Sequence, residues 1–431
     1  MGLAALVIYG IGDMLGAGIY GLVGKAAAEL GNATWMAFLV SMIAAALTGL
    51  SYASLGSRYP RAAGTAYVVH RAFRLPPFSY VVGLAVIASG LTSMAAVSRI
   101  FAGYLQALAG AIPQPAAAVG IILLLSLVNF WGMRESSWVN ILCTVVEASG
   151  LAIVVVVGLR FWGSVDYLDL ASVNNPAGEF RAPLLFSAAV LAFYAFVGFE
   201  DMINVAEEVR DPRRVFPVAV LLAFGAVSLI YAAISITAVS VVPHAELARS
   251  QRPLVEVVLR AAPWFPPALY TVIALFAVSN TALINYIMGS RLVYGMARQG
   301  LLPAWLGAIH PGRHTPHRAI LALMAIVLTL ALFADVAALA KATSLLLLCV
   351  FVVVNAGLLA LRRRAGEPRG ALELPAFVPL GGIAVSAVLI ANARRQEILI
   401  ATFLLMLILG LYLVRRPRAV IDDYVTGPRE E

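Results

Sequence analysis

The chain has 431 residues, 62% of them hydrophobic and only 12% charged, with a net charge of +8. Such a composition belongs to multi-spanning membrane proteins, and at roughly 20 apolar residues per crossing it leaves no room for a separate soluble domain. The basic residues are almost all arginines in short loops, with lysine only at Lys25 and Lys341, so a nucleic-acid-binding tract is excluded.

The first apolar stretch, over 3–30, lacks a basic leader and a clear cleavage site and reads as a retained first helix. It contains GIGDMLGAGIYGLVGK at 10–25. Glycine is poor in helix interiors because it has the most backbone freedom to lose. The triplet Gly16-Ala17-Gly18 is therefore the expected break, leaving bare amide and carbonyl groups toward a cavity, as in the discontinuous helices of secondary transporters. The alternative is that the glycines only allow close helix packing. Further spans are expected over 34–57, 77–110, 116–133, 137–162, 183–208, 217–242, 266–299, 317–334, 337–361, 375–392 and 397–414, twelve in all. The loop 58–77 is long enough for a short interfacial helix over 65–73.

The span over 183–208 is the second irregular one. Its apolar half ends in Phe193-Tyr194-Ala195-Phe196-Val197-Gly198-Phe199, and Glu200 and Asp201 follow at once. Carboxylates at membrane depth are costly unless the site is wet or lined by protein. Five helices fit between the two breaks, as in two five-helix repeats of inverted topology. The reading is one transmembrane domain over 1–414, with repeats over about 3–162 and 183–361, extra helices over 375–414, and a loose tail over 415–431.

With the N-terminus inside, eighteen arginines fall on the cytoplasmic side against seven outside. That bias puts both termini in the cytoplasm. Cys143 and Cys349 lie in apolar spans, and the five histidines fall in loops without metal-ligand spacing, so no disulfide framework, metal or cofactor is expected. Among polar residues inside spans, Glu147 is a functional candidate by default. Asp13 lies one turn before the first break, with pairing to Arg291 or Lys341 as its structural alternative. Ser279, Asn280, Asn285 and Tyr286 place hydroxyl, amide and phenol groups mid-helix. Lys25 and Glu29 are spaced to pair on one helix face, and Arg99 is expected to snorkel.

Several blocks carry a resemblance: GAGIYGLVGK at 16–25, SYASLGSRYPRAAGTAYVV at 51–69, FYAFVGFEDMINVAEEVRDPRRVFPVA at 193–219, SNTALINYIMGSRLVYGMARQGLLP at 279–303 and KATSLLLLCVFVVVNAGLLALRRR at 341–364. Together they resemble the amino acid–polyamine–organocation superfamily, most closely bacterial permeases similar to cationic amino acid transporters. The resemblance implies an all-α membrane protein of about twelve helices with the LeuT-like 5+5 inverted repeat, helices one and six discontinuous and two helices added at the C-terminus. It implies transport of amino acids or related amines across the plasma membrane by proton symport or by exchange, not an enzymatic reaction.

Carried over by position, Gly16, Ala17, Gly18 and Ile19 would hold the substrate carboxylate on free N–H groups. Phe196, Val197, Gly198 and Phe199 would offer carbonyls to the ammonium, and Tyr194 would close over the substrate. Glu200, Asp201, Ser279 and Asn280 are coupling or gating candidates beside Asp13 and Glu147. One departure stands out. Several proton-coupled members have a lysine in helix five where this chain has Glu147, so the carboxyl there could carry a proton or anchor a cationic partner.

Overall fold

The computed structural model describes residues 1–59, 64–110, 112–132, 137–298, 302–313 and 315–415. The expected tail therefore lies outside the described residues except for its first position. Among those residues the fold is entirely helical, with no strand. Eight segments are long and apolar enough to cross a membrane, the first running from Ala17 through the turn at 31–33 to Arg58. Four shorter apolar helices accompany them, Leu3–Met14, His317–Phe333, Phe377–Ala391 and Glu397–Gly410. The protein is thus a multi-pass membrane protein.

The expected first helix is two helices. α1 (Leu3–Met14) stops, Leu15 turns to an extended conformation, and α2 (Ala17–Leu30) begins after Gly16. Gly16 has φ −162°, which any residue can adopt, so its requirement is one of space. A Cβ there would sit 2.1 Å from the Thr281 hydroxyl oxygen. A 3₁₀ turn then leads into α3 (Thr34–Arg58), whose 25 residues span about 37 Å. α3 thus separates two sides of the molecule, the Leu30 side where α2 ends and the Arg58 side. On the Arg58 side lies α4 (Gly64–Phe73), where a short helix over 65–73 was expected.

α5 (Pro76–Ala109), α6 (Gln114–Trp131) and α7 (Ser137–Gly158) complete the first half. α6 ends on Gly132 at φ 80°, a left-handed cap that suits glycine. The second half opens with α8 (Ala182–Phe196), which breaks at Val197-Gly198 and resumes as a 3₁₀ helix, Phe199–Glu208, where an α-helical continuation was expected. Phe199, Met202, Ile203 and Ala206 of that segment are buried, although two carboxylates stand at its start. α9 (Pro212–Val241) follows. Two short helices follow, α10 (His244–Arg249) and α11 (Pro253–Ala261). α12 (Pro267–Arg298), α13 (His317–Phe333), α14 (Val336–Arg362), α15 (Phe377–Ala391) and α16 (Arg395–Arg415) close the chain. The Asp335 side chain caps α14 by accepting the Ala338 N–H at 3.0 Å.

Packing brings the two breaks together. α1 lies against α7 and α9, α2 against α8 and α10, and α3 against α8 and α9. α5 lies against α6, α12, α13 and α14, and α16 rests on α5 and α14.

Candidate functional site

The site begins where two backbones touch. A Cβ on Gly18 would sit 2.5 Å from Ala195 Cα, so α2 and α8 cross with no side chain between them. Gly198 adopts φ 127°, a conformation that favours glycine, and its Cβ would sit 2.7 Å from the Asp13 carbonyl oxygen. Two glycines thus set the first break directly on the second.

Around this contact lies a small cavity of about 30 Å³. Asp13, Met14, Gly16, Ala17 and Gly18 form one wall, and Tyr194, Ala195, Val197, Gly198 and Asp201 form the other. Ser93 of α5 and Thr281 and Asn285 of α12 complete it. The first turn of α2 has no side-chain cap, apart from a 3.4 Å approach of the Ala17 N–H to the Thr281 hydroxyl. The first N–H groups of α2, uncapped among the described residues, and the positive end of its dipole therefore face the cavity. On the opposite wall, the Gly198 N–H donates to Glu200 Oε2 at 2.9 Å, so Glu200 caps the resumed segment.

A larger cavity of about 410 Å³ shares Ser93, Val197, Asp201 and Asn285 with the small one. Its walls are Thr65 and Ala66 of α4, Gly83 to Met94 of α5 and Asn285 to Met296 of α12. It therefore extends toward the Arg58 side. The two cavities thus adjoin beside the breaks.

Residues 1–409 match the sequence model of the amino acid permease family. The chain belongs to that family. It is 32% identical to an uncharacterized transporter of Mycobacterium tuberculosis over 90% of this chain and 88% of the relative. It is 23% identical to the branched-chain amino acid permease BcaP of Bacillus subtilis, over 95% and 91% of the two chains. With the vacuolar cationic amino acid transporter 4 of Arabidopsis thaliana it shares 30% identity over 83% of this chain and 62% of the relative. The family and these relatives support amino acid transport as the activity.

In the permease, Gly16, Ala17, Gly18, Tyr194, Val197 and Gly198 line the cavity, as do Asp13 and Asp201. Ile19 is fully buried and is not part of the lining. Phe196 and Phe199 point away from it. The Phe196 ring lies 5.0 Å from that of Tyr231, and Phe199 lies 5.3 Å from Phe351. The Tyr194 hydroxyl is 2.8 Å from Ser93 Oγ, to which Asn285 Nδ2 also donates at 3.2 Å.

Glu147 is completely buried and stands apart from both linings. Asn280 Nδ2 donates to its Oε1 at 2.9 Å, while its Oε2 has no hydrogen-bond partner among the described residues. The Tyr20 hydroxyl donates to its backbone carbonyl at 2.8 Å. Among the described residues Ser279 bonds only back to the Leu275 carbonyl of its own helix.

Three lining side chains, Ser93, Thr281 and Asn285, were not candidates from sequence, although Asn285 stood among the mid-helix polar groups. Tyr231 is a fourth addition. Its hydroxyl approaches the Met14 carbonyl at 2.5 Å and the Ala195 carbonyl at 2.8 Å, one on each broken helix. The expected Lys25–Glu29 pair is replaced by longer-range partners. Lys25 donates to the Ala248 carbonyl at 3.2 Å, and Glu29 accepts from Arg394 at 2.6 Å. Lys341 pairs with Glu397 and Glu29, not with Asp13. Arg99 donates to the Ala331 carbonyl at 2.7 Å.

Proposed function

We propose that this permease is a secondary active transporter that moves amino acids across the plasma membrane by alternating access around the two breaks, coupled to protons. The observation that carries the reading is the direct meeting of two interrupted helices beside a cavity that extends toward the Arg58 side. A carrier needs its site reachable from one side at a time, and discontinuous helices at mid-membrane are where such sites are built.

The chemistry suits a zwitterion. The carboxylate fits the uncapped first turn of α2, with its N–H groups, its dipole and the Thr281 hydroxyl. The ammonium fits between Asp13 of the first wall and the opposite wall, where Asp201 and the backbone at 197–198 stand. Tyr194, Ser93 and Asn285 form a polar edge between this cradle and the larger cavity, where a substrate side chain has room.

Twelve crossings in a 5+5 inverted repeat agree with the packing. α1 lies on α7 as α8 lies on α14, and α1 lies on α9 as α8 lies on α3. α5 lies on α13 and α14 as α12 lies on α6 and α7. Each of these contacts in one half thus has a counterpart in the other. The arginine bias assigns the Arg58 side, and both termini, to the cytoplasm. Proton coupling is assigned to Glu147, a buried carboxyl with one oxygen free to bear a hydrogen among the described residues.

The test is uptake of labelled amino acids into sealed proteoliposomes with and without an imposed pH gradient. Saturable accumulation that collapses with the gradient is expected. Saturable counterflow indifferent to the gradient would instead identify an exchanger. No saturable movement of any amino acid would overturn the proposal.

A further inference from the structure

On the Leu30 side, away from the larger cavity, four charged residues from distant parts of the chain converge. Lys341 of α14 is only 4% exposed, yet Nζ lies 2.9 Å from Glu397 Oε1 and 2.9 Å from Ser187 Oγ, with Glu29 Oε1 at 4.0 Å. Arg394, just before α16, donates to that same Glu29 oxygen at 2.6 Å. Buried ion groups contribute little net stability, and they are best understood where they specify one arrangement over another.

The two carboxylates are held very differently. Glu397 uses both oxygens, since Oε1 takes Lys341 and Oε2 accepts the Arg394 backbone N–H at the start of α16. Lys341 and Glu397 also sit on helices that pack on each other. Glu29 is 6% exposed in its side chain, yet its Oε2 has no partner among the described residues. Its one short bond comes from an arginine that is 54% exposed. Glu29 lies in the last turn of α2, which is joined to α1 through the non-helical Leu15-Gly16. Lys341–Glu397 is thus a fixed pair, while Glu29 can withdraw without leaving Lys341 bare.

We infer that Glu29 is the bolt of an ionic latch, with Arg394, Lys341 and Glu397 as its keeper, that holds the Leu30 side shut while the other side is open. The terminal helix is then part of the gate and not an appendage. The inference rests on the transport reading above. Swinging α2 away from α14 and α16 breaks the Arg394–Glu29 bond and lets Glu29 hydrate, and Lys341 keeps its carboxylate throughout.

The experiment measures the distance between spin labels at Asn32 and Arg395, in full-length protein in lipid nanodiscs, on a background with Cys143 and Cys349 replaced by alanine. Glu29→Gln and Arg394→Ala are each expected to raise the long-distance population about tenfold, the worth of one charge-assisted hydrogen bond. The double variant should exceed neither single one, because both remove the same contact. Arg394→Lys should keep the parent distribution. Arg394 is half exposed, so its replacement leaves folding intact even if Glu29→Gln does not. Distances unchanged in both single variants, or additive in the double, would overturn the latch. Parent protein that moves no amino acid but shows the label response would overturn the transport reading and leave the latch standing.

Discussion

Gly18 of α2 lies so close to Ala195 of α8 that a methyl group on it would sit 2.5 Å from the Ala195 Cα. Backbone against backbone cannot be relieved by a side-chain rotation, so the two helices must part to admit it. Gly18→Ala is therefore expected to lower transport at least tenfold while the protein still reaches the membrane. Gly198→Ala adds a left-handed conformation to a clash with the Asp13 carbonyl and should cost about 1–3 kcal/mol of stability besides. Uptake and thermal unfolding of the purified variants check both. Wild-type transport by Gly18→Ala would show that the crossing is not part of the path.

Tyr231 fastens the same pair from behind, reaching a carbonyl on each broken helix. One hydroxyl has one hydrogen, so the two carbonyls share it. Tyr231→Phe removes the hydrogen and leaves two buried acceptors without their donor. A loss of about 1–3 kcal/mol in stability is expected, together with weaker substrate binding because the breaks are no longer held in register. Titration of an amino acid against intrinsic fluorescence reads the second effect separately from the first. A stable variant with unaltered binding would reduce Tyr231 to packing.

Both breaks were legible because the residues that make them are locally abnormal. Gly16 and Gly18 interrupt an apolar run, and Gly198 stands beside two carboxylates. The walls contributed by α5 and α12 were not legible. Those helices are apolar on most faces, so periodicity does not say which side of Ser93, Thr281 or Asn285 looks inward. Glu29 failed for another reason. Its spacing from Lys25 suggested a local pair, but Arg394, 365 positions away, lies at the end of the same helix in space and takes the carboxylate at shorter range. Phe196 and Phe199 belong to the second break by position, and their rings find aromatic neighbours on the outside of it.

Glu147 supplies the test of coupling. Glutamine keeps the shape and can still meet Asn280, but it cannot release a proton. Glu147→Gln should abolish accumulation driven by a pH gradient and leave exchange partly intact, measured as counterflow in the same proteoliposomes. Undiminished gradient-driven accumulation would move the proton elsewhere.

The segment after α14 is strapped to the Arg58 side by charge, and this makes its docking dependent on pH. Glu367, 8% exposed in its side chain, accepts from Arg71 at 2.8 Å and from the Tyr59 hydroxyl at 2.8 Å. Arg58 holds Glu373 at 2.6 Å in parallel. Burial works against the Glu367 charge, but the bonds from Arg71 and Tyr59 outweigh it and hold the carboxyl below its ordinary value. A lowered folded-state value means the contribution is complete above the ordinary carboxylate range, near pH 4.3, and is lost as pH falls through the lowered one. Proteolysis of the 364–374 segment should therefore be slow at pH 6 and accelerate below about pH 4. Glu367→Gln should make it fast at both. Equal cleavage of parent and variant at pH 6 would mean that Arg58–Glu373 alone holds the strap.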